Sequence, residues 1–379
     1  MTVAGDELTA DVVVVGGGMA GVSVAFELAD LGASVVLLEA EVQLAQHTTG
    51  RSAAMYLPGY GNEVVRGLTR ASRTDFDRLA ERFELATVLS PRALLWIADE
   101  GSQADLDAEL ATAFGPQPLS VAEAVERCGC LRADVLTGAA VDEAADDIDV
   151  MALHGGYLRG LRQAGGAVRR EARVHAVEHL PGGGWEVRAG STTVRVATVV
   201  DAAGAWADEV AALAGVPTVG LRPLRRTLFT SPVAWPEPID EWPLVLDAGE
   251  RFYFKPEHDQ VLISPADETP QAPGDARHEP EDVALALDLV NERTTLGLRS
   301  VRTAWAGLRS FVPDRTPVVG APEAHPGFVW LAGQGGYGIQ LAPALARVAA
   351  RLVAGETLPE DVAIEGVTAE SLAPDRVMR

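Results

Sequence analysis

Val12-Val-Val-Val-Gly16-Gly-Gly18-Met-Ala-Gly21 is the stretch that sets the fold. Four β-branched residues in a row predict a strand buried on both faces of a parallel sheet. Met19 to Leu31 follows with helical spacing, Val22, Ala25, Phe26 and Ala29 inward, and Gly32 stands where a helix C′ residue belongs. Ser34 to Leu38 reads as a second buried strand that ends on Glu39. The glycines between the first strand and the helix have separate duties. Gly16 permits a tight turn, Gly18 lets backbone approach a pyrophosphate, and Gly21 lets helix and strand pack closely. The helix N-terminus, with Met19 and Ala20 in its first turn, offers unpaired N–H groups and a partial positive charge to that pyrophosphate. Glu39 lies 18 residues beyond Gly21, where a carboxylate accepts ribose hydroxyls and repels a 2′-phosphate. The unit predicts a Rossmann-type dinucleotide site for FAD or NAD, with NADP disfavoured.

A second glycine loop separates the two. Gly333-Gln-Gly335-Gly336-Tyr337-Gly338 also lies between a predicted strand, Phe328–Ala332, and a predicted helix, Ile339–Val353. No strand follows that helix, because Gly355, Pro359 and an irregular tail come next, so no second βαβ unit forms. The loop instead aims a helix N-terminus at something electron-rich. In a flavoprotein that target is the pyrimidine edge of the isoalloxazine ring, and the helix end offers a negative charge there about 0.3–1 kcal/mol, up to ~2 when partly buried. Flavin is therefore preferred over nicotinamide.

The rest of the chain alternates between patterns. Amphipathic helices are expected at Glu63–Phe83, Ala104–Ala113 and Val121–Arg127, with a strand at Ala93–Ile97, as a separate helical insertion. A helix at Leu153–Gln163 feeds a meander of Val168–His179, a turn at Pro181–Gly184, Trp185–Arg188 and Thr192–Val200. Strand-like pieces follow at Arg226–Thr230, Arg251–Lys255 and Val261–Ser264, and the acidic stretch Asp267–Asp282 reads as an exposed loop. The expected class is α/β, mixed α+β. A Rossmann-type FAD-binding domain (1–57, 143–216 and 302–379) is interleaved with a mixed-sheet substrate-binding domain (58–142 and 217–301). A net charge of −23 repels phosphate backbones and anionic headgroups, which argues against nucleic-acid and membrane-surface binding. The N-terminus carries Asp6 and Glu7 and no basic or long apolar run, and no segment has the apolar length of a membrane helix, so a cytoplasmic location is expected. Cys128 and Cys130 read as buried thiols rather than a metal or redox pair, and no metal is expected.

Together these motifs resemble the D-amino-acid oxidase superfamily of FAD-dependent amine oxidoreductases, most nearly its D-arginine dehydrogenase-like branch. The resemblance is carried by Val12–Glu39, His47-Thr-Thr-Gly-Arg-Ser-Ala-Ala54, Thr198-Val-Val-Asp-Ala-Ala-Gly-Ala-Trp206, Gly307-Leu-Arg-Ser-Phe-Val312 and Phe328–Gln340. It implies that Ala40, Thr48, Thr49, Gly50, Arg51 and Ser52 line the cofactor and that Val174 meets adenine through its backbone. It also implies that Ala203, Gly204 and Trp206 approach the phosphate end, with Gly307, Gly335, Gly336, Tyr337, Gly338, Ile339 and Gln340 around the flavin. The FAD is expected to be non-covalent.

Oxidation at an amine-bearing carbon needs the carboxylate pinned, the α-hydrogen aimed at the flavin, and a neutral amine. Arginine suits the first task, since its planar fork holds a carboxylate bidentately. Arg226 and Arg309 match the resembled family's anchors, Arg309 in an apolar loop, although neighbouring Arg225 competes with Arg226 for the role. Tyr60 and Tyr253 match its substrate-side tyrosines, and Gln340 also faces substrate. On its strand Tyr253 shares a face with Lys255, with Phe252 and Phe254 opposite. No obligatory acid–base residue is required, because positioning supplies most of the rate. Branch members that take basic substrates carry a histidine and an acid where this chain has Met55 and Leu94. A cationic side chain buried against those residues would be unpaired at a cost of several kcal/mol. The expected activity is oxidative deamination of a D-amino acid with a neutral or apolar side chain, passing electrons to oxygen or a quinone-like acceptor. A glycine- or sarcosine-type oxidase of secondary amines is the alternative, and a non-catalytic flavin-binding protein is a third.

Overall fold

The computed structural model describes residues 6–112 and 115–378. The βαβ unit forms where the sequence places it: strand Glu7–Val15, helix Met19–Asp30 and strand Val35–Leu38. Val12 to Val15 and Val35 to Leu38 are buried throughout, as a strand covered on both faces requires. Glu7–Val15 sits at the centre of the first sheet, parallel to Val35–Leu38 on one side and to Thr192–Asp201 on the other. Phe328–Ala332 extends the parallel core, and the Val174–His179 and Trp185–Ala189 strands add an antiparallel edge.

The expected single strand Val168–His179 is two. Ala167–Arg169 pairs with Val35–Leu38, while Val174–His179 pairs with Trp185–Ala189. Between them Glu171 takes a φ of 54°, a left-handed kink that no extended strand accommodates.

The second sheet has nine strands and gathers Leu94–Ala98, Gly138–Asp142, Arg222–Pro232, Leu244–Asp247, Tyr253–Glu257, Gln260–Ser264 and Thr303–Phe311 among others. Its strands alternate along the chain with those of the first sheet, so the two are interleaved. The helical insertion expected between Tyr60 and Asp142 is not a separate body. Helix Glu63–Arg82 packs with Met19–Asp30, Val150–Gln163 and Gly338–Val353 in the core beside the first sheet. The strands Leu94–Ala98, Gln117–Leu119 and Gly138–Asp142 belong to the second sheet. The expected helix Ala104–Ala113 is Gln103–Leu110, and Ala113 lies outside the described residues.

One face of the second sheet is apolar. Leu95, Ile97, Phe229, Val245, Phe252, Phe254 and Ile263 pack there beneath the helix Pro280–Arg293, together with the buried thiols Cys128 and Cys130. The register puts Arg226, Leu244, Leu246, Tyr253 and Lys255 on the opposite face, toward the first sheet. No helix among the described residues is long and apolar enough to cross a membrane.

Candidate functional site

A single cavity of about 310 Å³ runs between the two sheets, within the size range of cofactor and substrate sites. One end is built from the first glycine turn. Gly16 takes a φ of 109°, open to glycine and strained for any other residue, and a Cβ there would strike the Ala202 carbonyl. A Cβ on Gly21 would land on the Gly16 carbonyl oxygen, so Gly21 sits behind the cavity wall as a packing residue. Gly18, Met19 and Ala20 line the cavity, and the N-cap residue Gly18 has no side chain to cap the helix that starts there. Glu39 accepts from Gly17 N at 2.7 Å and Glu41 N at 2.8 Å, which holds its carboxylate at the cavity wall. Ala40, Arg173, Val174, Ala203, Gly204 and Trp206 continue the wall, the Trp206 ring lying 4.9 Å from His47.

Sequence reasoning missed His154. It is 3% exposed on helix Val150–Gln163, and its Nε2 meets the Gly17 carbonyl at 2.9 Å. Burial lowers its pKa, so the neutral ring donates to that carbonyl and fastens the turn. A lone histidine on an amphipathic helix gave no signal of this contact, because the partner lies 137 residues away.

The His47–Ser52 segment joins the two ends. Thr49 Oγ1 accepts from Met19 N at 3.0 Å, and Thr48 Oγ1 donates to the Leu308 carbonyl at 2.7 Å. Thr48, Thr49, Arg51 and Ser52 line the cavity, whereas Gly50 lies off it, its amide bonded to the Ala45 and His47 carbonyls. Arg51 does not point at a phosphate. Its guanidinium donates to the Ala276 and Ala306 carbonyls and pairs with Asp275, so it ties this segment to the second sheet.

At the far end Gly333–Gly336 and the first turn of helix Gly338–Val353 line the cavity, again with no side-chain cap. Tyr337 is buried and lies outside the lining, against Tyr60, Phe311 and Arg315. Gln340 lines the cavity, yet its amide is consumed by the protein. Oε1 accepts from Leu57 N at 3.0 Å and Nε2 donates to Thr69 Oγ1 at 3.0 Å. Two helix starts without a side-chain N-cap bond, facing one cavity with the Glu39 carboxylate on its wall, fit a dinucleotide carrying a flavin.

Arg309 is on a strand rather than in a loop. Thr303–Phe311 pairs along Arg222–Pro232, with Leu224 opposite Arg309 and Arg226 opposite Gly307. Arg226 and Arg309 are therefore diagonal neighbours on one face, although 83 residues separate them. Arg225 faces the other way, into Asp267, Glu279 and Asp282, which resolves the competition in favour of Arg226. Arg226 is 4% exposed. Its Nε donates to the Asp267 carbonyl at 2.9 Å and its Nη2 to Glu268 at 3.2 Å. Asp267 and Glu268 are thus not the free ends of an exposed loop: Asp267 is buried against Thr227 and Arg225, and helix Pro280–Arg293 begins before the expected loop ends. Arg309 lies against Gly336, where a Cβ would strike its guanidinium, and it makes no hydrogen bond or ion pair among the described residues. The Tyr253 hydroxyl beside them is buried and has no partner either, and so is Ser310 Oγ. Burial pushes the Tyr60 phenol well above its ordinary pKa, and the charge on Glu250 adds to that.

Met55, Leu57, Leu244, Leu246 and Ala266 supply an apolar wall. Leu94 does not belong to it. It is 2% exposed and pairs with Leu244 on the neighbouring strand, behind the surface that Leu244 presents. Lys255 shares the face of Tyr253, as its spacing predicts, but its ammonium is 2.6 Å from Asp147 behind Met55 and outside the lining.

Comparison with known proteins agrees with this arrangement. The family model described as FAD dependent oxidoreductase (DAO) matches residues 11–352. Mitochondrial dimethylglycine dehydrogenase of Rattus norvegicus is 23% identical over 363 residues, which are 87% of this chain and 41% of that protein. The chain thus spans about two fifths of the length of that relative. Among solved structures, glycine oxidase from Geobacillus kaustophilus superposes with a TM-score of 0.82 at 22% identity, covering 94% of this chain and 98% of that one. L-proline dehydrogenase from P. horikoshii does so at 0.83 with 18% identity, covering 98% of each. With a match over nine tenths of its length, and a cavity that opens two helix starts toward a single cofactor, this chain belongs to the DAO family of FAD-dependent oxidoreductases.

Proposed function

We propose that the protein oxidises the amine-bearing carbon of a small amino carboxylate with a neutral or apolar side chain, in the D configuration where that carbon is chiral. The observation that carries this reading is the free guanidinium of Arg309, next to the unpartnered Tyr253 hydroxyl and opposite the second glycine loop. A half-buried cation with no protein partner pays a desolvation cost that a ligand anion offsets. Arg309 takes the substrate carboxylate bidentately, and Tyr60, Tyr253 and Arg226 fix its orientation. FAD, when bound without a covalent link, supplies the two-electron acceptor. The apolar wall from Met55 to Leu246 excludes water and keeps the amine neutral. Glu250, the acid whose charge reaches Tyr60, lies in the turn after Leu244–Asp247 and lines the cavity beside that wall. His47 is engaged by Glu41 at 3.1 Å, which supports a non-covalent cofactor. Precipitation of the protein in acid should release the flavin into solution.

A second reading, a secondary or N-methyl amine such as sarcosine as substrate, is favoured by the similarity to dimethylglycine dehydrogenase. Anaerobic mixing of the FAD-loaded protein with D-alanine, L-alanine, sarcosine and dimethylglycine separates the readings by which compound bleaches the flavin fastest. No bleaching by any amino carboxylate would refute both. Best efficiency with D-arginine would refute the side-chain preference.

A further inference from the structure

The guanidiniums of Arg226 and Arg309, neighbours on one sheet face at the cavity, are not equivalent. Arg309 is free, whereas Arg226 is held from behind by the Asp267 carbonyl and Glu268. Glu268 is itself clamped from outside. Arg315 Nη2 donates to Oε1 at 2.7 Å and Nη1 to Oε2 at 3.0 Å, while the Arg315 guanidinium lies over the Phe311 ring at 3.8 Å. Burial works against ionisation of Glu268, but Arg315 and the two cavity arginines outweigh it and hold its carboxyl below the usual range. The Arg315 side chain is 46% exposed, so solvent screens much of its charge.

We infer that Glu268 determines how many carboxylates the substrate carries: by neutralising Arg226 from behind, it leaves Arg309 as the open guanidinium of the pair and restricts the cavity to monocarboxylates. The inference rests on the carboxylate-binding part of the function proposed above. A second substrate carboxylate could reach Arg226 only in competition with Glu268, and would be repelled by it. Glu268 lies outside the cavity lining and acts through Arg226, so it is a positioning residue that sets specificity.

The test needs no turnover. FAD-loaded protein is titrated with propionate and with succinate, neither of which carries an amine, and binding is followed by the change in flavin absorbance. Glu268→Gln keeps the oxygen that faces Arg226 and removes the charge. The ratio of the propionate Kd to the succinate Kd should rise on the order of tenfold in that variant. Arg315→Gln removes the outer clamp and leaves the full Glu268 charge on Arg226, so the same ratio should fall. An unchanged ratio in both variants would overturn the inference, as would equal weakening of both ligands in Glu268→Gln. Melting of each FAD-loaded variant checks folding, and the half-exposed Arg315 carries the test if Glu268→Gln does not fold. Failure of amino acids to bleach the flavin would count against the proposed oxidation alone, since both probes here lack an amine.

Discussion

Replacing Arg309 with methionine should abolish substrate capture without loosening the fold. The wild-type guanidinium makes no hydrogen bond or ion pair among the described residues, so its removal strands no protein group. What is lost is a bidentate, charge-assisted pair with the substrate. At about 1.5–3 kcal/mol for each such bond, two together are worth roughly 3–6 kcal/mol. That corresponds to a fall in kcat/KM of about 10²–10⁴. Arg226→Met is the control that makes the argument sharp. It strips a donor from the Asp267 carbonyl and a counter-charge from Glu268, both in a partly buried setting. The cost is about 1–3 kcal/mol of stability, a drop of a few degrees in Tm. Anaerobic rapid mixing reads the rate of flavin reduction against substrate concentration, and calorimetry of the FAD-loaded proteins reads Tm. If Arg309→Met melts as far below wild type as Arg226→Met, Arg309 has a structural partner and the reasoning fails. Half-saturation of flavin reduction at the wild-type substrate concentration would refute it equally.

Gly21→Ala puts a methyl group on the Gly16 carbonyl and pushes the first helix off its strand, so the purified protein should contain little FAD; a fully yellow variant in an absorbance ratio would contradict this. His154→Leu removes one of the two donors to the Gly17 carbonyl, leaving the Ala45 amide, at a cost of about 1 kcal/mol, and equilibrium dialysis should show weaker FAD binding. Because burial lowers the His154 pKa, the unfolded chain takes up the proton first. Wild-type stability should therefore decline as pH falls below about 6.5, a component that His154→Leu lacks in urea titrations across that range. Asp99 receives Arg251 Nη2 at 2.9 Å and Arg293 Nη2 at 2.6 Å, and these bonds outweigh burial to hold its pKa at about 2. Its contribution is complete above pH ~4 and disappears as pH falls through ~2. Asp99→Asn should thus cost about 1 kcal/mol at neutral pH, discounted for partial exposure, and the gap to wild type in chemical unfolding should close on acidification.

The parts of the site that were legible from sequence are those whose chemistry is local. Gly16, Gly333 and Gly335 take positive φ values and Gly21 packs on the Gly16 carbonyl, constraints internal to each strand–turn–helix, whereas the contacts of Gly16 with Ala202 and of Gly336 with Arg309 are not. The arginines were recognisable as a residue type suited to carboxylates, but their setting was not. Thr303-Ala-Trp-Ala-Gly-Leu-Arg-Ser-Phe311 has a central glycine and Pro313 just beyond, and it reads as a loop until Arg222–Pro232 is laid beside it. Leu94 illustrates the same limit. The resemblance placed it at the substrate, yet only the pairing with Leu244 shows which of the two reaches the cavity. Glu268 and His154 were invisible because each acts on a partner brought near by the fold, and nothing in their immediate neighbours encodes that contact.

The seam between the two sheets explains why the anchors can be accurate enough to matter. Transfer from a carbon to a flavin tolerates little misplacement, and an error near 1 Å can cost about 10²-fold in rate. In this fold Arg309 does not reach the cofactor segment through flexible side chains. Backbone atoms on its own strand are tied to that segment: the Leu308 carbonyl accepts from Thr48, the Ala306 carbonyl accepts from Arg51, and Trp305 Nε1 donates to the Arg51 carbonyl at 3.2 Å. Gly307 lies between these ties with no side chain, so that Thr48 and Arg51 pack directly on the strand. The residue opposite Gly307 across the ladder is Arg226. The cofactor segment, Arg309 and Arg226 therefore share one rigid frame, and a displacement of either sheet carries all three together. Interleaving the chain through two sheets makes such a frame possible, because the strand that carries Arg309 is followed by Val318–Gly320 and Phe328–Ala332 of the first sheet and by the second glycine loop, whose Gly336 lies against Arg309.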